Sequence, residues 1–301
     1  MIWAGVGSRT VVVMLLAAFT LAGCSSTSVT PPPVAASSTM AAATTSPPVV
    51  APVPVVPVRQ LPPEPVPVPA AWVGDRASLT WVDSWAVTPD APIVQPDVAP
   101  AQLAHIAPIG AVVHVTPGGV VIGWLPALAL TDPTVTPVLA TAHGGAWLQV
   151  MLPSRAHLPE EGAVNGAAGW IHLDDVTELS PVAATVLVDL TAQTLTVLDA
   201  AGAPTLSTSV AVVRPDAPTP LGWSFVVGSW EEDSVTPSVV ALSMHSETLA
   251  EFDGEDAVTA VHRYRGATNG AVSSGCVRVP DSAWVAVGTL PVGTPVLVVR
   301  G

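Results

Sequence analysis

From about residue 102 to the end, the apolar residues fall in short runs or in strict alternation with polar ones, which is the pattern of strands rather than helices. Residues 112–115 and 120–125 read as two strands around the turn Pro117-Gly118-Gly119, and residues 147–152 and 169–173 as two more. Further on, Val186-Leu187-Val188-Asp189-Leu190 leads through Thr191-Ala192-Gln193 into Thr194-Leu195-Thr196-Val197-Leu198, which alternates as a half-buried strand should. Strands follow at about 206–213, 223–227, 239–244, 258–262 and 296–299. One short helix is predicted near Pro280-Asp281-Ser282, where Asp281 is placed to cap it. The chain is therefore mainly β. A small barrel or sandwich covers 102–180, and a second β-rich domain with few short helices covers 181–301. Residues 71–101 give no such pattern. Trp72, Trp81 and Trp85 are spread among polar residues, so this stretch is either a strand packed on the next domain or tether touching nothing.

The N-terminus is patterned differently. Arg9 precedes the apolar run 11–19, too short for a transmembrane helix of about 20 residues and suited to a signal peptide over 1–23. The run ends in Leu21-Ala22-Gly23-Cys24, which resembles a bacterial lipobox and implies lipidation of Cys24; an ordinary signal peptide with an incidental cysteine is the other reading. Residues 24–70 are Pro, Val, Ala, Ser and Thr with almost no charge, and cannot bury enough apolar surface to offset backbone entropy. Extended at about 3.1 Å per residue, such a tether reaches on the order of 140 Å. The expected location is outside the cell, anchored to the membrane through lipidated Cys24 and facing the wall.

Composition narrows the function classes. The net charge is −14, and all nine basic residues are arginines. No basic stripe is available for a phosphate backbone, so no nucleic-acid partner is expected. The seven histidines include His105, His114, His143, His157 and His172, scattered without metal-ligand spacing, so neither metal nor cofactor is expected. Glu231, Glu232 and Asp233, like Asp253, Glu255 and Asp256, read as loop charges rather than a glycosidase pair.

The chain has two cysteines, and the second, Cys276, lies in Ser273-Ser274-Gly275-Cys276-Val277-Arg278-Val279. With Cys24 spent at the signal, an exported chain has no partner for an internal disulfide, and a nucleophile is a leading explanation. A free thiol of pKa about 8.5 is only a few per cent ionised at neutral pH and needs help. His262, fourteen positions earlier (276 − 262), closes the apolar run 257–261, which anchors it on a strand. The glycine-containing loop 266–272 is able to fold back and bring Cys276 beside it.

The order of strand, turn, strand, then Thr219-Pro220-Leu221-Gly222, a strand-end histidine, Ser-x-Gly-Cys-aliphatic-Arg, and a final Val292-Gly293-Thr294-Pro295 resembles the L,D-transpeptidase (YkuD-type) catalytic domain across 181–301. The Trp-Leu-Gln-Val of 147–150, Asn165-Gly166 and Gly169-Trp170-Ile171 resemble a bacterial SH3-like domain, which implies either a wall-binding module or a packing module. The first resemblance implies Cys276 as nucleophile and His262 as general base. The carbonyl of Arg263 would orient the ring, and amides of Ser274, Gly275 and Cys276 would form the oxyanion hole. Arg278 would support the loop or meet a substrate carboxylate. Tyr264, in the cluster Arg263-Tyr264-Arg265, would contact the stem peptide or lie in a solvated loop. His245 and Ser246 align with a region lining the cleft, with a surface histidine as the alternative.

The implied activity is a peptidoglycan L,D-transpeptidase forming 3→3 cross-links through a cysteine acyl-enzyme. Its partners would be a donor tetrapeptide and an acceptor amine from a second stem, with carbapenems as inhibitors. Water in place of the amine would make it an L,D-carboxypeptidase. The chain departs from the family pattern at Ser274, where histidine is common, at Arg263, where glycine is common, and in a base-to-nucleophile loop about two residues shorter. Those departures leave a catalytically inactive, lipid-anchored peptidoglycan-binding protein as the rival reading.

Overall fold

The computed structural model describes residues 68–301 except 131, 214–216, 232–235 and 253. The signal peptide, Cys24, the tether up to residue 67, and Glu232, Asp233 and Asp253 lie outside the described residues. Among the described residues no helix is long and apolar enough to cross a membrane.

The first half is built from β1 (Gln102–Ile106), β2 (Ala111–His114), β3 (Val121–Leu125), β4 (Leu128–Ala129), β5 (Asp132–Pro133), β6 (Val135–Ala142), β7 (Trp147–Met151), β8 (Ala168–His172) and β9 (Val176–Pro181). Seven of them form one antiparallel sheet in the order β3-β2-β8-β7-β6-β1-β9, while β4 and β5 pair separately. Alternation buries one face: Ala104, Val113, Leu148, Val150 and Ile171 are all in its core. Trp147 is fully buried, with the rings of His114 and His172 each set T-shaped to it. Its indole N–H donates to the Pro69 carbonyl at 3.0 Å, which fixes the start of the described chain to this sheet.

Residues 71–101 contain no regular strand. Beyond a single 3-10 turn, Arg76–Ser78, they touch the sheet through isolated bridges: Trp81 with Trp124, Val87 with Arg155, Ile93 with Ala167. Val82 is fully buried. This stretch is packed, and it also reaches the second half. The Gln95 side-chain oxygen accepts from the Trp223 N–H at 2.8 Å. A Cβ on Gly222 would stand 2.7 Å from that oxygen, and Gly222 has φ +103°, so only glycine fits there.

The second half comprises β10 (Ala184–Asp189), β11 (Thr194–Asp199), β12 (Pro204–Ser209), β13 (Ala211–Val213), β14 (Gly222–Glu231), β15 (Ser238–His245), the small pair β16 (Glu251–Phe252) and β17 (Glu255–Asp256), β18 (Val258–Arg263), β19 (Gly270–Ser273), β20 (Val277–Val279), α1 (Asp281–Val287) and β21 (Pro295–Val299). Ten strands form one sheet in the order β12-β11-β10-β21-β14-β15-β18-β20-β13-β19. The single strand expected over 206–213 is two. Val210 separates them; its N–H still bonds the Gln193 carbonyl beside β11, and the next residue, Ala211, already pairs with β19 and β20. β12 is at one edge of the sheet and β13 next to the other, yet one residue joins them. An extended residue spans only about 3.5 Å, so the sheet must curl until its ends meet. Val186, Leu195, Val212, Leu242 and Val277 fill the resulting core.

The two sheets share a third cluster. Met151, with Leu139, packs against Trp223, Phe225, Val227 and Ala241. Burying a side chain such as Phe225 contributes about 1.5–3 kcal/mol. The expected helix is present as α1, but its N-cap is Pro280, with no side-chain capping bond. Asp281 is instead the first helical residue, where Arg263 takes its carboxylate.

Candidate active site

Parallel pairing of β18 with β20 sets Val261 opposite Val277, His262 opposite Arg278 and Arg263 opposite Val279. Side chains alternate faces with a period of two. One step before β20, Cys276 therefore falls beside Ala260 and shares a face with His262, Tyr264 and Arg278. All four line one cavity of about 410 Å³. Ser273, Ser274 and Ser246 line it as well.

The histidine is held from behind. Its Nδ1 lies 3.3 Å from the Arg263 carbonyl, a long hydrogen bond. A carbonyl only accepts, so Nδ1 is the donor in this contact, and a neutral ring so held carries its lone pair on Nε2. His262 is 8% exposed, and its ring meets the Tyr264 ring edge-on at 5.8 Å. The Arg278 guanidinium lies 4.0 Å above the centre of Tyr264, a cation–π stack. Its buried Nε has no hydrogen-bond partner among the described residues.

Burial pushes the Cys276 thiol up; the backbone of Ala260 and the Arg278 charge pull the other way without reversing it. The resting side chain is thus a neutral thiol. A neutral thiol ionises only with a base to take its proton, and His262 lines the same cavity. Gly275 has φ +105°, while a Cβ there would meet only the Pro218 carbonyl oxygen, at 3.9 Å. The space is open; the backbone conformation is what demands glycine.

Three expected contacts sit differently. His245 is fully buried and outside the cavity wall, because β15 is buried along its whole length. Its Nε2 donates to the Ser84 carbonyl at 2.8 Å, and its backbone N–H and carbonyl pair with Asn165 at 2.7 and 2.9 Å. Burial lowers its pKa to about 4. It is neither a substrate contact nor a surface histidine; it docks the 71–101 segment. Ser246 lines the cavity, but its hydroxyl accepts from the Leu249 N–H at 3.1 Å and closes a turn. Arg263 spends its guanidinium on Asp281 at 2.7 and 2.9 Å, which raises its own pKa and lowers that of Asp281.

The cavity also holds residues that sequence reasoning missed: Trp85, Trp230 and Phe252. The motif Asp83-Ser84-Trp85 was the available signal, since Asp before a turn favours a side-chain bond to the backbone two residues on. Among the described residues no group of three or more His, Cys, Asp or Glu is placed to hold a metal ion.

The family model for the YkuD L,D-transpeptidase catalytic domain matches residues 183–298, the stretch that carries Cys276 and His262. No curated protein matches the chain. Among solved structures, an L,D-transpeptidase of Enterococcus faecium is 20% identical, with 38% of this chain and 49% of that one covered and a TM-score of 0.31. This chain thus spans about half of that protein. The L,D-transpeptidase from Mycobacterium smegmatis is 15% identical, with 51% and 91% covered and a TM-score of 0.32. The E. faecium catalytic domain acylated by ertapenem is 22% identical, with 38% and 96% covered and a TM-score of 0.30. Likeness at this level carries no argument about the chemistry of this chain.

Proposed function

We propose that the protein is a cysteine-dependent L,D-transpeptidase that makes 3→3 cross-links between peptidoglycan stem peptides. The observation that carries this reading is the β18–β20 register, which puts Cys276 on the same cavity face as a histidine whose Nδ1 is held by a carbonyl.

In the first step, His262 Nε2 takes the thiol proton as Sγ attacks the carbonyl of the third residue of a donor tetrapeptide. The oxyanion is met by backbone N–H groups around Ser274, Gly275 and Cys276. Collapse breaks the peptide bond, and the terminal D-Ala amine leaves with the proton from His262. The second step runs in reverse. A side-chain amine of another stem attacks the thioester, His262 takes a proton from it, and as the new amide forms the sulfur leaves and recovers that proton from His262. Water in place of that amine gives a carboxypeptidase. Arg278, held over Tyr264 with an unpartnered Nε, is suited to a substrate carboxylate. The lipid anchor at Cys24, the tether and the SH3-like character of the first sheet complete the proposal as a means of holding this site near the wall.

Intact-mass analysis with a carbapenem tests the nucleophile. One adduct on the wild-type chain and none on Cys276→Ala is the expected result. An equal adduct on both, or none on either, contradicts it.

A further inference from the structure

Trp85 lies outside the matched stretch 183–298, yet its ring forms part of the cavity that holds Cys276. Its backbone is pinned on both sides. Its N–H donates to Asp83 Oδ1 at 3.0 Å, and the Ala86 N–H closes a turn onto the Asp83 carbonyl at 3.2 Å. The neighbouring Ser84 is buried, with its carbonyl held by His245 at 2.8 Å. Thr88, also buried, donates its N–H to the Arg155 carbonyl at 2.9 Å. Between these fixed points the indole projects outward and stays 46% exposed.

Two further rings line the same cavity: Trp230, 36% exposed, and Phe252, 58% exposed. The hairpin bearing Phe252 is also held in place. The guanidinium of Arg155, itself buried, binds the Ala250 carbonyl at 3.0 Å and the Asp256 carboxylate. Three large rings lining one cavity, each at least a third exposed, mark a binding surface. Cys276, His262 and Ser273 sit deeper, by their lower exposure.

We propose that Trp85, together with Trp230 and Phe252, forms a subsite that stacks on the sugar rings carrying the stem peptide. The proposal rests on the reading that Cys276 attacks after the third residue of a donor stem. Three extended residues reach about 10 Å, which already matches the full width, about 9 Å, of a sphere of about 410 Å³. The sugar end of the donor therefore emerges at the mouth, where the rings are. A pyranose offers a flat C–H face with hydroxyls at its rim, which suits an indole that is apolar in body and exposed at its edge. The stem peptide offers mainly methyl groups and charges, which leave such a face uncovered.

The test compares a free tetrapeptide with the same peptide on its disaccharide, using the full-length chain and its Trp85→Ala and Trp85→Phe variants. Turnover gives kcat and KM. Affinity for the Cys276→Ala background, with and without Trp85→Ala, gives a readout that needs no catalysis. We expect the wild type to favour the disaccharide form through KM by on the order of tenfold. Trp85→Ala should erase that preference and Trp85→Phe should keep part of it. No preference in the wild type, or equal losses on both substrates in Trp85→Ala, overturns the proposal and assigns the ring to the peptide. If the wild type turns over neither substrate, yet binding still prefers the sugar through Trp85, the subsite stands and the transpeptidase reading falls.

Discussion

His262 and Arg278 face each other across the parallel pair of β18 and β20, and Tyr264 packs against both. One strand register thus sets the imidazole, the cation and, two residues before Arg278, the thiol. The charge of Arg278 also lowers the Cys276 pKa against the burial that raises it. Removing that charge removes a pull toward the thiolate and a candidate partner for a substrate carboxylate. For Arg278→Ala we predict a fall in kcat/KM of at least about tenfold, mostly in KM. Arg278→Lys should recover only part of it, because an ammonium cannot reproduce a planar stacked guanidinium. An unchanged KM in Arg278→Ala would contradict the assignment.

Gly275→Ala tests the backbone at the nucleophile. A left-handed conformation costs an ordinary residue about 1–3 kcal/mol, and no steric contact nearer than 3.9 Å stands in the way. The chain should fold, with a Tm lower by a few degrees, while turnover drops by on the order of a hundredfold as the thiol and its flanking amides shift. Activity close to wild type would show that this conformation is not used.

Arg263→Ala separates the backbone of that residue from its side chain. The carbonyl that holds His262 is retained, and only an exposed pair with Asp281 is lost. Exposed pairs contribute little. Turnover and KM within about threefold of wild type are expected. A large rise in KM would restore the side chain as a substrate contact.

His245 predicts a pH dependence of stability. Its pKa is about 4 in the fold against 6.5 ordinarily, so between those values the unfolded chain binds a proton that the folded chain does not. Stability from this residue is fully present above pH 6.5 and declines as pH falls toward 4, by about 3 kcal/mol. Denaturant unfolding of the wild type and of His245→Gln, which keeps a donor for the Ser84 carbonyl, should show a steeper acid loss in the wild type. Parallel curves would contradict the burial argument.

That Cys276 and His262 share one cavity was legible because local signals carried it: a strand-end histidine, a glycine before a cysteine, and a loop between them. The β10–β11 hairpin was legible for the same reason, through alternation and a turn. What was hidden depends on distant contacts. Nothing within 206–213 announces a break, since what changes after Val210 is the partner strand, from β11 to β19 and β20. His245 is buried by a contact 161 positions away in sequence. Residues 71–101 show no period because bridges and side-chain bonds, not strands, hold them. The aromatic mouth of the cavity was missed with them, as Trp85 belongs to that stretch.

The most direct test of the central claim is mass spectrometry of the products when the full-length chain, and separately its Cys276→Ala variant, is incubated with a disaccharide tetrapeptide. We predict a 3→3 cross-linked dimer with release of D-Ala from the wild type alone. D-Ala and tripeptide without dimer would make the protein a carboxypeptidase with the same nucleophile. Silence from the wild-type chain, folded and still binding peptidoglycan, would contradict the catalytic account and leave a wall-binding protein.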